Sequence, residues 1–139
     1  MKLAIVGSRE FTKENKVRKL LELYIKQYGL ENVTVVSGGC PDGADFLARK
    51  VALAMGLDYV EFPPKHRPHN PYCIHPADEY NKPYHVSNFF VRNSQIAEHC
   101  EHLVAFTIKG VRCNGTMDTY NKAKKLGRKC ILHEIEKNN

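Results

Sequence analysis

Residues 33–56 read VTVVSGGCPDGADFLARKVALAMG, and in them three kinds of local order follow one another. Val33, Val35 and Val36 surround one threonine in a β-branched run that suits a buried strand. Gly38-Gly39 ends that run abruptly. From Gly43 the apolar residues Ala44, Leu47, Ala48, Val51 and Met55 recur at helical spacing until Gly56 stops the pattern. A strand, a glycine loop and a helix in succession are one β-α step.

The same step recurs on either side. Residues 3–6 form a buried strand closed by Gly7-Ser8-Arg9, and residues 14–28 place Val17, Leu20, Leu21, Tyr24 and Tyr28 on one helical face before Gly29. Downstream come a strand at 59–62, a helix from about 86 to 100, and a strand at 103–106. A helix from about Asn114 to Leu126, capped by Gly127, and a strand at 130–133 complete the series. Alternating strands and helices predict parallel strands with right-handed crossovers and helices on both faces of the sheet. The expectation is therefore an α/β fold, a Rossmann-like three-layer sandwich whose five-stranded sheet is mainly parallel. A strand order of 3-2-1-4-5 would put the topological switch between the first and fourth strands. With 139 residues, one domain spanning 1–139 is expected.

One stretch interrupts the pattern. Residues 63–85 hold Pro63, Pro64, Pro68, Pro71, Pro76 and Pro83 together with His66, His69, His75 and His85, and they show neither periodicity. Irregular connections of this length are commonly functional, and the segment reads as a lid. Tyr72, Tyr80 and Tyr84 are available either to stack on a base or to pack the loop down. With Cys73, the histidines match no zinc pattern of paired ligands, so neither a metal nor a cofactor is expected.

The remaining composition narrows the class. A charged share of 26% beside an apolar share of 42% is ordinary for a globular chain and argues against global disorder. The opening apolar run ends at Gly7, too short for a signal core or a membrane span, so a cytoplasmic protein without a membrane partner is expected. Five cysteines without a C-x-x-C pair read as reduced thiols. The net charge of +6 favours acidic partners. Much of that excess, however, sits in Lys122, Lys124, Lys125, Arg128 and Lys129 at a helix end, where cations complement the helix dipole. Nucleic acid is therefore not the expected partner.

In doubly wound sheets ligands bind beyond the carboxyl ends of the strands, and three glycine loops fall there: Gly7-Ser8-Arg9, Ser37 to Gly43, and Cys113 to Thr116. Glycine lets backbone approach a ligand, and the free amides of a helix N-terminus suit a phosphate. Neither helix-opening loop is a Walker sequence or a G-x-G-x-x-G dinucleotide fingerprint. Arg9 is available for a phosphate or carboxylate contact. Ser8 and Ser37 either donate to phosphate or satisfy turn backbone. Asp42 and Asp45 flank the start of a helix, one to cap it and the other to accept ribose hydroxyls, with capping the favoured role for Asp42.

Gly7-Ser8-Arg9 with Phe11, Ser37-Gly-Gly-Cys-Pro-Asp-Gly-Ala-Asp45, Arg92-Asn93 and Gly115-Thr116 together resemble the SLOG superfamily, in particular its small stand-alone YspA/YpsA-like branch. The resemblance spans nearly the whole chain. It implies a Rossmann-like fold, a nucleotide or nucleotide-derived ligand, and self-association, for which the helix carrying Phe89 and Phe90 offers a face. The implied ligand-binding residues are Gly7, Ser8, Arg9, Ser37, Gly38, Gly39, Asp42, Gly43, Asp45, Asn93, Asn114, Gly115 and Thr116. Some members cleave the N-glycosidic bond of a nucleoside monophosphate. For that activity the resemblance implies Arg92 and Asp118 as catalytic residues, because they match the hydrolases' arginine and first acidic position. Asn114 stands where those enzymes have glycine, Thr119 stands at their second acidic position, and Asp118 is one methylene short of glutamate. A first-turn acid that complements the helix dipole is the other role for Asp118. These departures favour a sensor or sequestering module over a phosphoribohydrolase.

Overall fold

In the computed structural model, which describes residues 1–137, strands and helices alternate along the chain. They are β1 (Lys2–Gly7), α1 (Glu14–Tyr28), β2 (Thr34–Ser37), α2 (Gly43–Ala54), β3 (Asp58–Glu61), α3 (Ser87–His99), β4 (His102–Ile108), α4 (Asn114–Lys125) and β5 (Lys129–Ile135). The five strands form one sheet in the order β3-β2-β1-β4-β5. Every pairing in it is parallel, so the sheet is wholly and not just mainly parallel. The physical reason is that a helix separates each strand from the next, which returns the chain to the same end of the sheet.

Side-chain alternation sorts the core into two halves. Leu3 and Ile5 of β1, Val35 of β2, and Val104, Phe106 and Ile108 of β4 face α1 and α2. Ala4, Val6, Val36, Leu103 and Ala105 face the other way, where Ile96 and Ala97 of α3 and Ala123 of α4 cover them. With both faces covered, the central strands must be apolar at nearly every position, which explains the unbroken runs Leu3-Ala-Ile-Val6 and Leu103-Val-Ala-Phe106. Each fully buried valine, leucine or isoleucine contributes about 1.5–3 kcal/mol against exposure. Phe11, carried just beyond β1, stacks on Phe106 with ring centroids 4.7 Å apart and seals the carboxyl end of the sheet on the α1/α2 side.

The proline-rich connection from β3 to α3 is anchored in its first part. Phe62 N–H donates to the Ser37 carbonyl (3.0 Å) and Glu61 N–H to the Tyr72 carbonyl (3.0 Å). Pro63 and Pro64 are buried, and after a 3-10 turn at Ala77–Glu79 so is Tyr80. Asn81 and Lys82 N–H groups then donate to Arg67 and Lys65 carbonyls. From 81 to 87 every residue is exposed.

All five cysteines are free thiols. Among the described residues no helix is long and apolar enough to cross a membrane, and no three His, Cys, Asp or Glu side chains gather as a metal-binding group.

Candidate functional site

A cavity of about 470 Å³ opens at the carboxyl ends of β1 and β4, the point where the strand order reverses. Gly7, Ser8 and Arg9 follow β1 onto its wall, Asp45 reaches it from α2, Arg92 and Asn93 from α3, and Asn114, Gly115 and Thr116 from the start of α4. These nine residues, expected from the sequence and spread from Gly7 to Thr116, share one cavity. Ser37, Gly38, Gly39, Asp42, Gly43 and Asp118 are not on its wall.

The glycines of the second loop make room for protein groups. A Cβ at Gly43, whose φ is +72°, would overlap the Ser8 carbonyl oxygen, and that same carbonyl accepts the Ala44 N–H at 3.2 Å. The Gly7–Arg9 turn thus sits on the N-terminus of α2, where the Ser8 carbonyl takes the Ala44 amide. Asp42 stands at the N-cap with extended backbone but makes no capping hydrogen bond with its side chain. A Cβ at Gly38 would lie 2.5 Å from Arg92 Nη1 and 2.8 Å from Asp45 Oδ2. Arg92 Nη1 donates to the Gly38 carbonyl at 2.6 Å, so the absent side chain is what admits the guanidinium.

Beneath Gly39 lies a polar network that the sequence reading did not single out. Gly39 has φ +72°, and a Cβ there would sit 3.0 Å from the carboxylate of Glu61, which is 1% exposed. Tyr59 Oη donates to Glu61 Oε2 at 2.6 Å and Asn70 Nδ2 to Oε1. The Ser37 hydroxyl bonds Tyr59 Oη and accepts the Gly39 N–H at 3.3 Å. Burial, then the Glu61 charge, holds the Tyr59 phenol far above its ordinary range. Ser37 therefore serves the interior of the loop. An acid inside the apolar stretch Tyr59-Val-Glu-Phe62 is the signal that marks this network, because a buried carboxylate requires donors.

The start of α4 differs from that of α2. No side chain caps it, and its amide bonding begins with Met117 N–H to the Cys113 carbonyl at 3.1 Å. The amides of Asn114, Gly115 and Thr116 precede that bond and so have no intrahelical acceptor. Asn114 and Gly115 are exposed, and a Cβ at Gly115 would meet nothing within 4 Å. Three arginines, Arg9, Arg92 and Arg112, share the wall with these amides. Arg9 and Arg112 are exposed and form no ion pair among the described residues. Arg112, missed in the sequence reading, immediately precedes the glycine loop that opens α4.

Beside the exposed Glu10, the acid on the cavity wall is Asp45. It is 8% exposed, accepts the Cys40 N–H at 3.2 Å, and is held above the usual carboxylate range because burial outweighs the nearby Arg92 charge. Burial likewise lowers the Arg92 guanidinium, with Asp45 opposing the shift. An arginine nevertheless stays protonated. Asp118 points elsewhere: its Oδ2 accepts Asn93 Nδ2 at 3.1 Å and pairs with Lys122 Nζ at 3.0 Å. Thr119 takes the wall position instead, 2% exposed, with its hydroxyl donating to the Gly115 carbonyl at 3.1 Å.

No residue of 63–85 lines this cavity among the described residues. Tyr72 packs edge-on to Tyr59 and beneath the Arg49 guanidinium, Tyr80 is buried, and Tyr84 lies against His66. Phe89 also packs on His66, which leaves Phe90 and Val91 as the half-exposed apolar residues of α3.

A family model described as YAcAr, the YspA, cpYpsA-related SLOG family, matches residues 1–69, a span that runs from β1 through β3 and carries the first two glycine loops. Among curated proteins, none matches the chain.

Proposed function

We propose that this chain, which belongs to the SLOG superfamily, binds a nucleotide or nucleotide-derived ligand and acts as a sensor or sequestering module. The phosphate sits at the N-terminus of α4. The observation that carries this reading is the set of uncapped amides at Asn114, Gly115 and Thr116, which opens into a cavity shared with Arg9, Arg92 and Arg112. Amides at the positive end of a helix dipole and convergent guanidinium groups are complementary to a phosphate. Asp45 is placed for the ribose hydroxyls.

Cleavage of the glycosidic bond is the second reading, and one observation favours it. Asp45 is a buried carboxyl on the wall whose raised pKa suits a proton donor. A hydrolase built on this cavity would use Asp45 with Arg92, since Asp118 is engaged by Asn93 and Lys122. The absence of an acid at Thr119 weighs for the sensor.

Calorimetric titration with ribose 5-phosphate and with nucleoside 5'-monophosphates, alongside an assay for released base, tests both readings. Binding that requires the 5'-phosphate, with no base released, is the expected result. Steady base release that disappears in Asp45→Asn and Arg92→Ala would replace the sensor with a phosphoribohydrolase.

A further inference from the structure

Beside the phosphate cavity, an open groove of about 530 Å³ runs over the carboxyl ends of β4 and β5 and shares with it the wall from Val111 to Asn114. Of the cavity's three arginines only Arg112 also reaches the groove, whose further lining includes Thr107, Met117 and Leu132 and one carboxylate, Glu134. Leu132 and Glu134 lie on the outermost strand, on the face that carries Cys130 toward α3 and α4. Leu132 remains 41% exposed there, an apolar side chain without a cover at the mouth of the groove. Glu134 is exposed and forms no ion pair among the described residues. Its charge nonetheless reaches the shared wall: burial, and after it Glu134, pushes the Cys113 thiol up.

Resting on the phosphate assignment made above, we propose that this groove seats the base of the same ligand and that Glu134 selects a guanine-type edge. A phosphate at the α4 amides places the ribose against residues 111–114, and this groove continues from that wall onto Met117 and Leu132. The ring face lies on Met117 and Leu132, where a thioether suits an aromatic surface. A carboxylate accepts at two oxygens and donates at none. Guanine offers two parallel donors, N1–H and the N2 amino group, and satisfies both oxygens. Adenine and cytosine set one donor beside a ring acceptor, and the uracil N3–H is flanked by two carbonyl oxygens that the carboxylate repels. The ligand class is therefore a guanine nucleotide.

The test is titration calorimetry of the whole protein with GMP, AMP, UMP and ribose 5-phosphate, repeated on Glu134→Gln. In the parent, GMP is expected to bind about tenfold or more tighter than AMP or UMP, the scale of one hydrogen bond to a charged acceptor. An amide presents one acceptor and one donor, the pattern that pairs with adenine. Glu134→Gln should therefore weaken GMP about tenfold, leave AMP unchanged or tighter, and leave ribose 5-phosphate as it was. A purely structural role for Glu134 would lower GMP and AMP alike, and that result would overturn the proposal. So would parent affinities for GMP and ribose 5-phosphate that coincide, which would leave the phosphate site standing without this base seat. Failure of ribose 5-phosphate and every nucleotide to bind would remove the phosphate assignment and the base seat together.

Discussion

Gly39 and Gly115 look alike in the sequence and carry opposite burdens in the fold. At Gly39 the backbone is left-handed, and a methyl group would press on the Glu61 carboxylate. Gly39→Ala is expected to lower the unfolding free energy by about 1–2 kcal/mol from backbone strain alone, measured by urea denaturation. Gly115→Ala meets open space and sits inside a helix, where alanine gains up to about 1 kcal/mol over glycine. It should keep or raise stability while weakening phosphate ligands, because the methyl group projects beside amides that must touch the anion. An unchanged urea midpoint for Gly39→Ala would mean that Gly39 is not held in the left-handed conformation. Asp45 supports a prediction of a different kind. Its folded pKa is raised by burial, so its contribution to stability is fully present below the unfolded value of about 3.9 and is lost as pH rises through the folded value. Stability of Asp45→Asn relative to the parent should therefore increase from acid to neutral pH. A difference between them that stays flat across that range would remove the burial argument. That these positions are special was legible in the sequence. What each accommodates was not, because Arg92 lies 54 residues and Glu61 22 residues along the chain from their glycines.

Among the elements, α2 and α4 begin with similar loops and end up in different situations. The Gly7–Arg9 turn accepts the Ala44 amide of α2, whereas the first amides of α4 have no intrahelical acceptor and belong to residues that line the cavity. Backbone hydrogen exchange distinguishes them. Ala44 should exchange slowly with or without ligand, and a bound nucleotide 5'-phosphate should slow Asn114, Gly115 and Thr116. The 63–85 connection is expected to divide, with Asn81 and Lys82 protected by their bonds to Arg67 and Lys65 and the exposed residues after Pro83 exchanging fast. Ligand-dependent slowing across all of 63–85, with none at Asn114 to Thr116, would transfer the mechanism from α4 to a closing lid. The helix limits were readable from apolar spacing, and α1 begins and ends at residues 14 and 28 as that spacing predicts. The anchoring of the proline-rich connection was not, since it rests on bonds such as that of the Phe62 N–H to the Ser37 carbonyl, whose partner belongs to another strand.

At the scale of the whole molecule, β1 pairs with β2 on one side and with β4 on the other, so the first and last thirds of the chain meet through the middle of one sheet. Neither half keeps its core when the other leaves. Urea unfolding is therefore expected to be a single cooperative transition, with far-UV and near-UV circular dichroism giving the same midpoint. Separated midpoints would show that residues 1–69, the span matched by the family model, form a unit of their own. What the sequence determined by itself was the succession of elements, the strand order and the nine wall residues that do share a cavity. The elements and strand order follow from periodicity, glycine placement and the handedness of crossovers, which act over short stretches of chain, whereas Arg92 and Asn93 were reached through the family resemblance. Only the tertiary structure decided which glycine loop keeps free amides and that Thr119, in place of Asp118, faces the cavity. It alone also brought Glu134 beside the wall of the cavity. Each of these depends on a group from another element arriving in the same few ångströms, and no local pattern encodes which group arrives.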